Sequence, residues 1–84
     1  MKTYKIEVSK KAQKFINDRN FKERKKIYSE IYKLPNGRNV LKMSGFENRY
    51  RLRVGDFRII YDKFDDKVVI LVLDVGNRGD IYKR

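Results

Sequence analysis

The sequence predicts an α+β domain: an N-terminal strand, an α-helical hairpin, then an antiparallel β-meander sheet with the helices on one face. Three observations predict it. Apolar residues recur at helical spacing between Ser9 and Leu34. The period shortens to two from Asn39 onward. Gly55-Asp56 separates two strand-like runs as a two-residue hairpin turn with glycine first. The 84 residues suffice for one domain, 1–84, with one modest core. Six tyrosines and five phenylalanines supply bulky apolar area to a chain that is only 40% hydrophobic.

Thr3 to Val8 alternates, with Tyr4, Ile6 and Val8 against Lys5 and Glu7, and reads as a strand. Ser9 suits the N-cap of a helix whose one face carries Ala12, Phe15 and Ile16. That helix stops within residues 17–20. Asn20, with Glu23 three residues later, has the pattern of a capping box. The second helix then runs to about Leu34 on a stripe of Ile27, Tyr28, Ile31 and Leu34. Leu34-Pro35-Asn36-Gly37 ends it with turn residues. Strands follow at Val40 to Ser44, Arg49 to Val54, Phe57 to Phe64 and Lys67 to Val75. The last of these is apolar on both parities, as a central strand covered on both faces requires.

Charge narrows the function. Lys and Arg number 22 against 11 Asp and Glu, a net charge of +11, so the expected partner is an anion. Nucleic acid comes first and an acidic protein second. Without Cys there is no disulfide framework, thiol nucleophile or Cys-based metal site. Without His the commonest acid/base and metal ligand near neutral pH is missing. No cofactor and no metal site is expected. No segment reaches the ~20 apolar residues of a membrane span, and the N-terminus lacks signal-peptide features, so a cytoplasmic location is expected.

A turn at Gly55-Asp56 fixes a register in which Arg53 faces Arg58, Arg51 faces Ile60 and Arg49 faces Asp62. One face of the hairpin is then Tyr50, Leu52, Val54, Phe57, Ile59 and Tyr61, a core face. The other gathers Arg49, Arg51, Arg53 and Arg58. Arg53 opposite Arg58 costs a hairpin from a few tenths to ~1 kcal/mol. A purely structural surface would place Glu or Thr there, whereas converging guanidiniums suit phosphate. Residues 76–84 hold Arg78, Asp80, Tyr82 and Lys83 and are either the cover for this arginine face or a frayed tail.

The run Tyr50-Arg51-Leu52-Arg53-Val54-Gly55-Asp56-Phe57-Arg58-Ile59-Ile60-Tyr61 resembles the hairpin signature of the RelE/ParE toxin superfamily. The ending Val75-Gly76-Asn77-Arg78-Gly79-Asp80-Ile81-Tyr82 resembles that superfamily's terminal motif, and the β-α-α order is similar too. The resemblance implies a RelE-like fold and a RelE-type toxin of a toxin–antitoxin pair. Such a toxin enters the ribosomal A site and cuts mRNA there, the 2′-hydroxyl attacking the adjacent phosphate to leave a 2′,3′-cyclic phosphate and a 5′-hydroxyl.

By position, the resemblance assigns Arg58 to the charged phosphorane, Arg78 to the leaving 5′-oxygen and Tyr82 to stacking on the target nucleotide. It places Arg51 and Arg53 where the RelE type has lysines. Arg49, Lys42 and Lys83 join them as expected phosphate contacts. Asn77 stands where many relatives have His, which leaves the proton acceptor open among Tyr82, Asp80, Lys42 and Lys83. The implied partners are an acidic antitoxin, the ribosome and mRNA, with a monomer when free. Two alternatives stand beside this expectation: a ParE-like inhibitor of DNA gyrase, and a non-catalytic RNA-binding module.

Overall fold

A computed structural model of the chain describes residues 3–37 and 39–77. The elements are β1 (Lys5–Val8), α1 (Lys10–Asn17), α2 (Phe21–Ile31), β2 (Val40–Lys42), β3 (Arg49–Val54), β4 (Phe57–Phe64) and β5 (Val69–Asn77). This is the expected α+β architecture.

Both helix starts are set by the residues that the sequence marks. Ser9 takes an extended backbone, and its Oγ accepts from the Ala12 amide at 3.1 Å. Asn20 does the same for α2, its Oδ1 accepting from Glu23 N at 2.8 Å. At the far end of α1 the Arg24 guanidinium reaches back to donate to the Asn17 carbonyl at 3.3 Å, supplying a partner for an orphan acceptor. Regular α2 ends at Ile31 rather than Leu34. Its last turns tighten, with Lys33 N donating to Glu30 O and Leu34 N to Ile31 O. Pro35 explains the stop, because it disfavours helical backbone in the residue before it.

The sheet order is β1-β5-β4-β3-β2. Strands β2 to β5 form an antiparallel meander, and β1 joins the far edge parallel to β5. The β3–β4 register is the one the two-residue turn dictates, from Val54 opposite Phe57 to Arg49 opposite Asp62. Gly55 sits at φ +56, a backbone region that glycine enters without strain.

Strand β5 departs from expectation at both ends. Residues 65–68 form the turn after β4, with Val68 at φ +54, so pairing starts at Val69 and not at Lys67. Pairing then continues to Asn77, past Val75. Between Ile60 and Tyr61 the register shifts: Tyr61 faces Val72 but Ile60 faces Asp74, leaving Leu73 as an extra residue. The Leu73 carbonyl does not go unsatisfied, because Ser9 Oγ donates to it at 2.8 Å. β2 is also shorter than expected, Val40–Lys42.

One face of the sheet carries the core. Ile70, Val72 and Val75 from β5 join Leu52, Val54, Phe57, Ile59 and Tyr61, and all are buried. Ala12 and Ile16 of α1 and Ile27 and Ile31 of α2 close over them, with Leu34 beyond α2. The Phe15 ring meets the Phe57 ring edge-on at 6.0 Å. Each fully buried aliphatic side chain contributes about 1.5–3 kcal/mol. Among the described residues no helix is long and apolar enough to cross a membrane.

Candidate nucleic-acid interface

The opposite face of the sheet carries the arginines, because every residue between the inward-facing ones on β3 and β4 must point outward. Its first row across the strands is Arg53, Arg58 and Gly76. The second is Leu41, Arg51, Ile60 and Asp74. The third is Arg49, Asp62 and Leu71.

Arg58 lies on the central strand β4 and is only 9% exposed. On one side stands the exposed Arg53; on the other stands Gly76, which brings no side chain into the space beside it. Ile60 is also buried although it faces away from the helices. Arg51 is half-buried next to it.

Arg49 behaves differently from its three neighbours. Its Nε donates to Asp62 Oδ1 at 2.8 Å and its Nη2 to Asp62 Oδ2 at 3.1 Å. The bidentate bond holds the Arg49 pKa above its ordinary value, chiefly through the Asp62 hydrogen bond. The guanidinium also lies 4.5 Å over the Phe46 ring. Arg49 is therefore a neutralised, fixed edge to the arginine cluster.

The structure brings Arg51, Arg53 and Arg58 together, with Arg49 at their border. It does not bring Lys42 to them: Lys42 pairs with Tyr50, which places it on the parity of the helix-bearing face. Arg78, Asp80, Tyr82 and Lys83 lie outside the described residues.

Sequence reasoning missed two features of this face. Asp74 is the first. Strict alternation from Ile70 and Val72 would turn it into the core, but the extra residue Leu73 moves it into the row of Arg51 and Ile60. It meets Lys11 of α1 at 3.4 Å. The second is an aromatic cleft at the Arg49 end, of about 320 Å³, lined by Phe46, Glu47, Asn48, Arg49, Asp62 and Phe64 among others. The parity of Phe64, two residues beyond Asp62, was legible; the position of Phe46 depended on a loop that carries no periodic signal.

Comparison with known proteins agrees with the fold. The sequence model of a family described as the ParE toxin of the type II toxin–antitoxin system parDE matches residues 6–82. A search of curated proteins finds no significant match. Among solved structures, an archaeal RelE–RelB complex from Pyrococcus horikoshii is similar at 25% identity and a TM-score of 0.76, over 92% of this chain and 97% of the other. A RelB–RelE antitoxin–toxin complex from Methanococcus jannaschii is similar at 27% identity and 0.73, over 90% and 94%. The isolated E. coli RelE toxin is similar at 26% identity and 0.69, over 94% and 90%.

Proposed function

This chain belongs to the ParE toxin family of type II toxin–antitoxin systems and has the build of a RelE-type toxin, and from that premise we propose that the whole chain is one toxin domain that cuts messenger RNA on the ribosome. The observation that carries this reading is the juxtaposition of Arg51, Arg53 and Arg58 on one face, with Arg58 almost buried on the central strand.

Attack of a 2′-hydroxyl on the adjacent phosphate builds negative charge on the phosphoryl oxygens. Fixed guanidiniums in a partly dry site stabilise that charge without reorganising during the reaction. Arg58 takes this role, Arg51 and Arg53 hold flanking phosphates, and Arg78 and Tyr82 serve the leaving oxygen and the target base. The bond from phosphorus to the 5′-oxygen breaks as the bond to the 2′-oxygen forms. The products are a 2′,3′-cyclic phosphate and a 5′-hydroxyl. Positioning and charge stabilisation carry most of the rate.

The partner in the cell is an acidic antitoxin that covers this basic surface. The similarity of this chain to RelE chains solved with RelB supports that reading.

The test is mapping of mRNA ends on translating ribosomes with wild type, Arg58→Ala and Tyr82→Phe. Codon-associated cuts with wild type, reduced at least a hundredfold by Arg58→Ala, are expected. Absence of cuts with wild type would refute the reading. One second reading, the ParE-like inhibition of DNA gyrase that the sequence resemblance also allows, stands beside it because the matching family model is that of ParE. Loss of supercoiling activity in a gyrase assay, without mRNA cleavage, selects it.

A further inference from the structure

We propose that the cleft between Phe46 and Phe64 is a nucleobase site, which holds an unpaired base of the RNA strand whose phosphates lie on Arg51, Arg53 and Arg58. This rests on the reading of the chain as an RNA-cutting toxin and adds a second point of contact to it.

Four observations carry the proposal. The first is placement. Phe64 is two residues beyond Asp62 on β4, so it shares the arginine face, and Phe46 is tied to that face through Arg49. The second is shape. The cleft has a volume of about 320 Å³ and aromatic side chains in its wall.

The third is the state of the rings. Phe46 is 46% exposed, a large apolar surface left in water on a chain with little apolar surface to spare. One side of its ring is occupied by the Arg49 guanidinium at 4.5 Å. Gly45, at φ +83 with open space around it, turns the chain just before it. Phe64 is half-buried, with the Lys67 ammonium 5.6 Å from its ring centre.

The fourth is polar chemistry. The Asp62 carboxylate sits at the cleft with each oxygen accepting from Arg49 and lone pairs to spare. Glu47 adds a second carboxylate to the lining. Acceptors of this kind favour bases that present an amino group. Lys67 and the arginines offer cations to the flanking phosphates.

The spacing is compatible with one strand. Arg49 and Arg53 are four residue steps apart on β3, about 13 Å along the sheet. The Phe64 row lies two residues further on, about 20 Å from the Arg53–Arg58 row, so a phosphate at that row and a base in the cleft sit a few nucleotides apart on one strand. Stacking on aromatic rings is the way single-stranded RNA bases are commonly held.

The experiment measures binding of a labelled single-stranded RNA and of an abasic RNA of the same length, at several salt concentrations. Wild type, Phe46→Ala, Phe64→Ala and Phe46→Trp are compared, with circular dichroism to confirm folding. Phe46→Ala is expected to weaken binding of the natural RNA about tenfold or more. It leaves the abasic RNA and the salt dependence unchanged, and Phe46→Trp restores affinity. RNA substituted with 5-iodocytidine, which keeps the exocyclic amino group, is expected to photo-crosslink to Phe46 or Phe64. Because Phe46 is 46% exposed and lies outside the core cluster, its replacement does not depend on the core, which keeps the result readable if Phe64→Ala unfolds. Equal binding of natural and abasic RNA by wild type, or no effect of Phe46→Ala, overturns the base site and leaves the arginine-face reading standing. No salt-dependent RNA binding by wild type overturns both.

Discussion

At the scale of single residues, Arg53 separates folding from function. It faces Arg58 across the hairpin, so two like charges share one cross-strand pair. Arg53→Thr is expected to stabilise the fold by a few tenths to ~1 kcal/mol. The same change removes one phosphate contact and lowers the slope of log affinity against log salt by about 0.7. Urea unfolding and salt-dependent RNA binding read the two effects; unchanged binding would remove Arg53 from the interface. Tyr61 supplies a pH dependence. Burial pushes its phenol up to about 12, with the neighbouring Tyr50 adding to the rise. Above the ordinary tyrosine value near 10 the unfolded chain loses this proton while the folded chain keeps it. Stability contributed by the neutral phenol is therefore present below about pH 10 and falls between about pH 10 and pH 12. Tyr61→Phe should flatten that fall in denaturant titrations across the window. An equally steep fall in the variant would show that other groups cause it.

At the scale of elements, the junction of β1, α1 and β5 depends on Ser9. Its hydroxyl caps α1 and also donates to the Leu73 carbonyl, 64 residues away in sequence. Ser9→Ala loses the cap and strands a part-buried acceptor, so a cost of about 2 kcal/mol is expected, against ~1 for a cap alone. Thermal or urea unfolding of Ser9→Ala beside Asn20→Ala makes the comparison; equal losses would mean that the Leu73 contact adds nothing. The elements also show what the sequence could reveal. Both caps, the two helical stripes and the β3–β4 register are local patterns, carried by residues a few positions apart. The arginine cluster followed from that register. The bounds of β5 did not, because a positive φ at Val68 and an extra residue at Leu73 break the alternation on which strand reading relies. The engagement of Arg49 by Asp62 was visible as a pairing. Its closure against Phe46 was not, because it depends on how residues 43–48 turn.

At the scale of the whole molecule, the sheet joins the ends of the described chain. β1 pairs with β5 in parallel, while all other neighbours in the sheet are consecutive hairpin strands. Closing that pairing requires a loop of more than sixty residues, an entropy cost that local hairpins do not meet. We expect β1 to dock after the rate-limiting step. Ile6→Ala, at a half-buried site on β1 against the core, should then speed unfolding and leave the folding rate nearly unchanged. A chevron plot decides, and a folding arm slowed in proportion to the lost stability would place β1 in the folding nucleus. The same arrangement segregates chemistry by face. The helices cover one side of the sheet and leave the other to the cations, so most stability lies on one surface and the proposed activity on the other.

The bulge at Leu73 has a consequence for which changes in length the chain tolerates. Deleting that one residue would let Asp74 follow Val72 directly and leave every later position of β5 facing as it does now, with Asp74 opposite Ile60, Val75 opposite Ile59 and Gly76 opposite Arg58. The loss would be the Leu73 carbonyl that Ser9 Oγ holds. A deletion within the regular β3–β4 ladder has no such slack and would exchange the core face for the arginine face beyond it. Leu73 is thus a spare unit of length in the sheet. Removing it is a local event, whereas the same removal on β3 is a spatial frameshift.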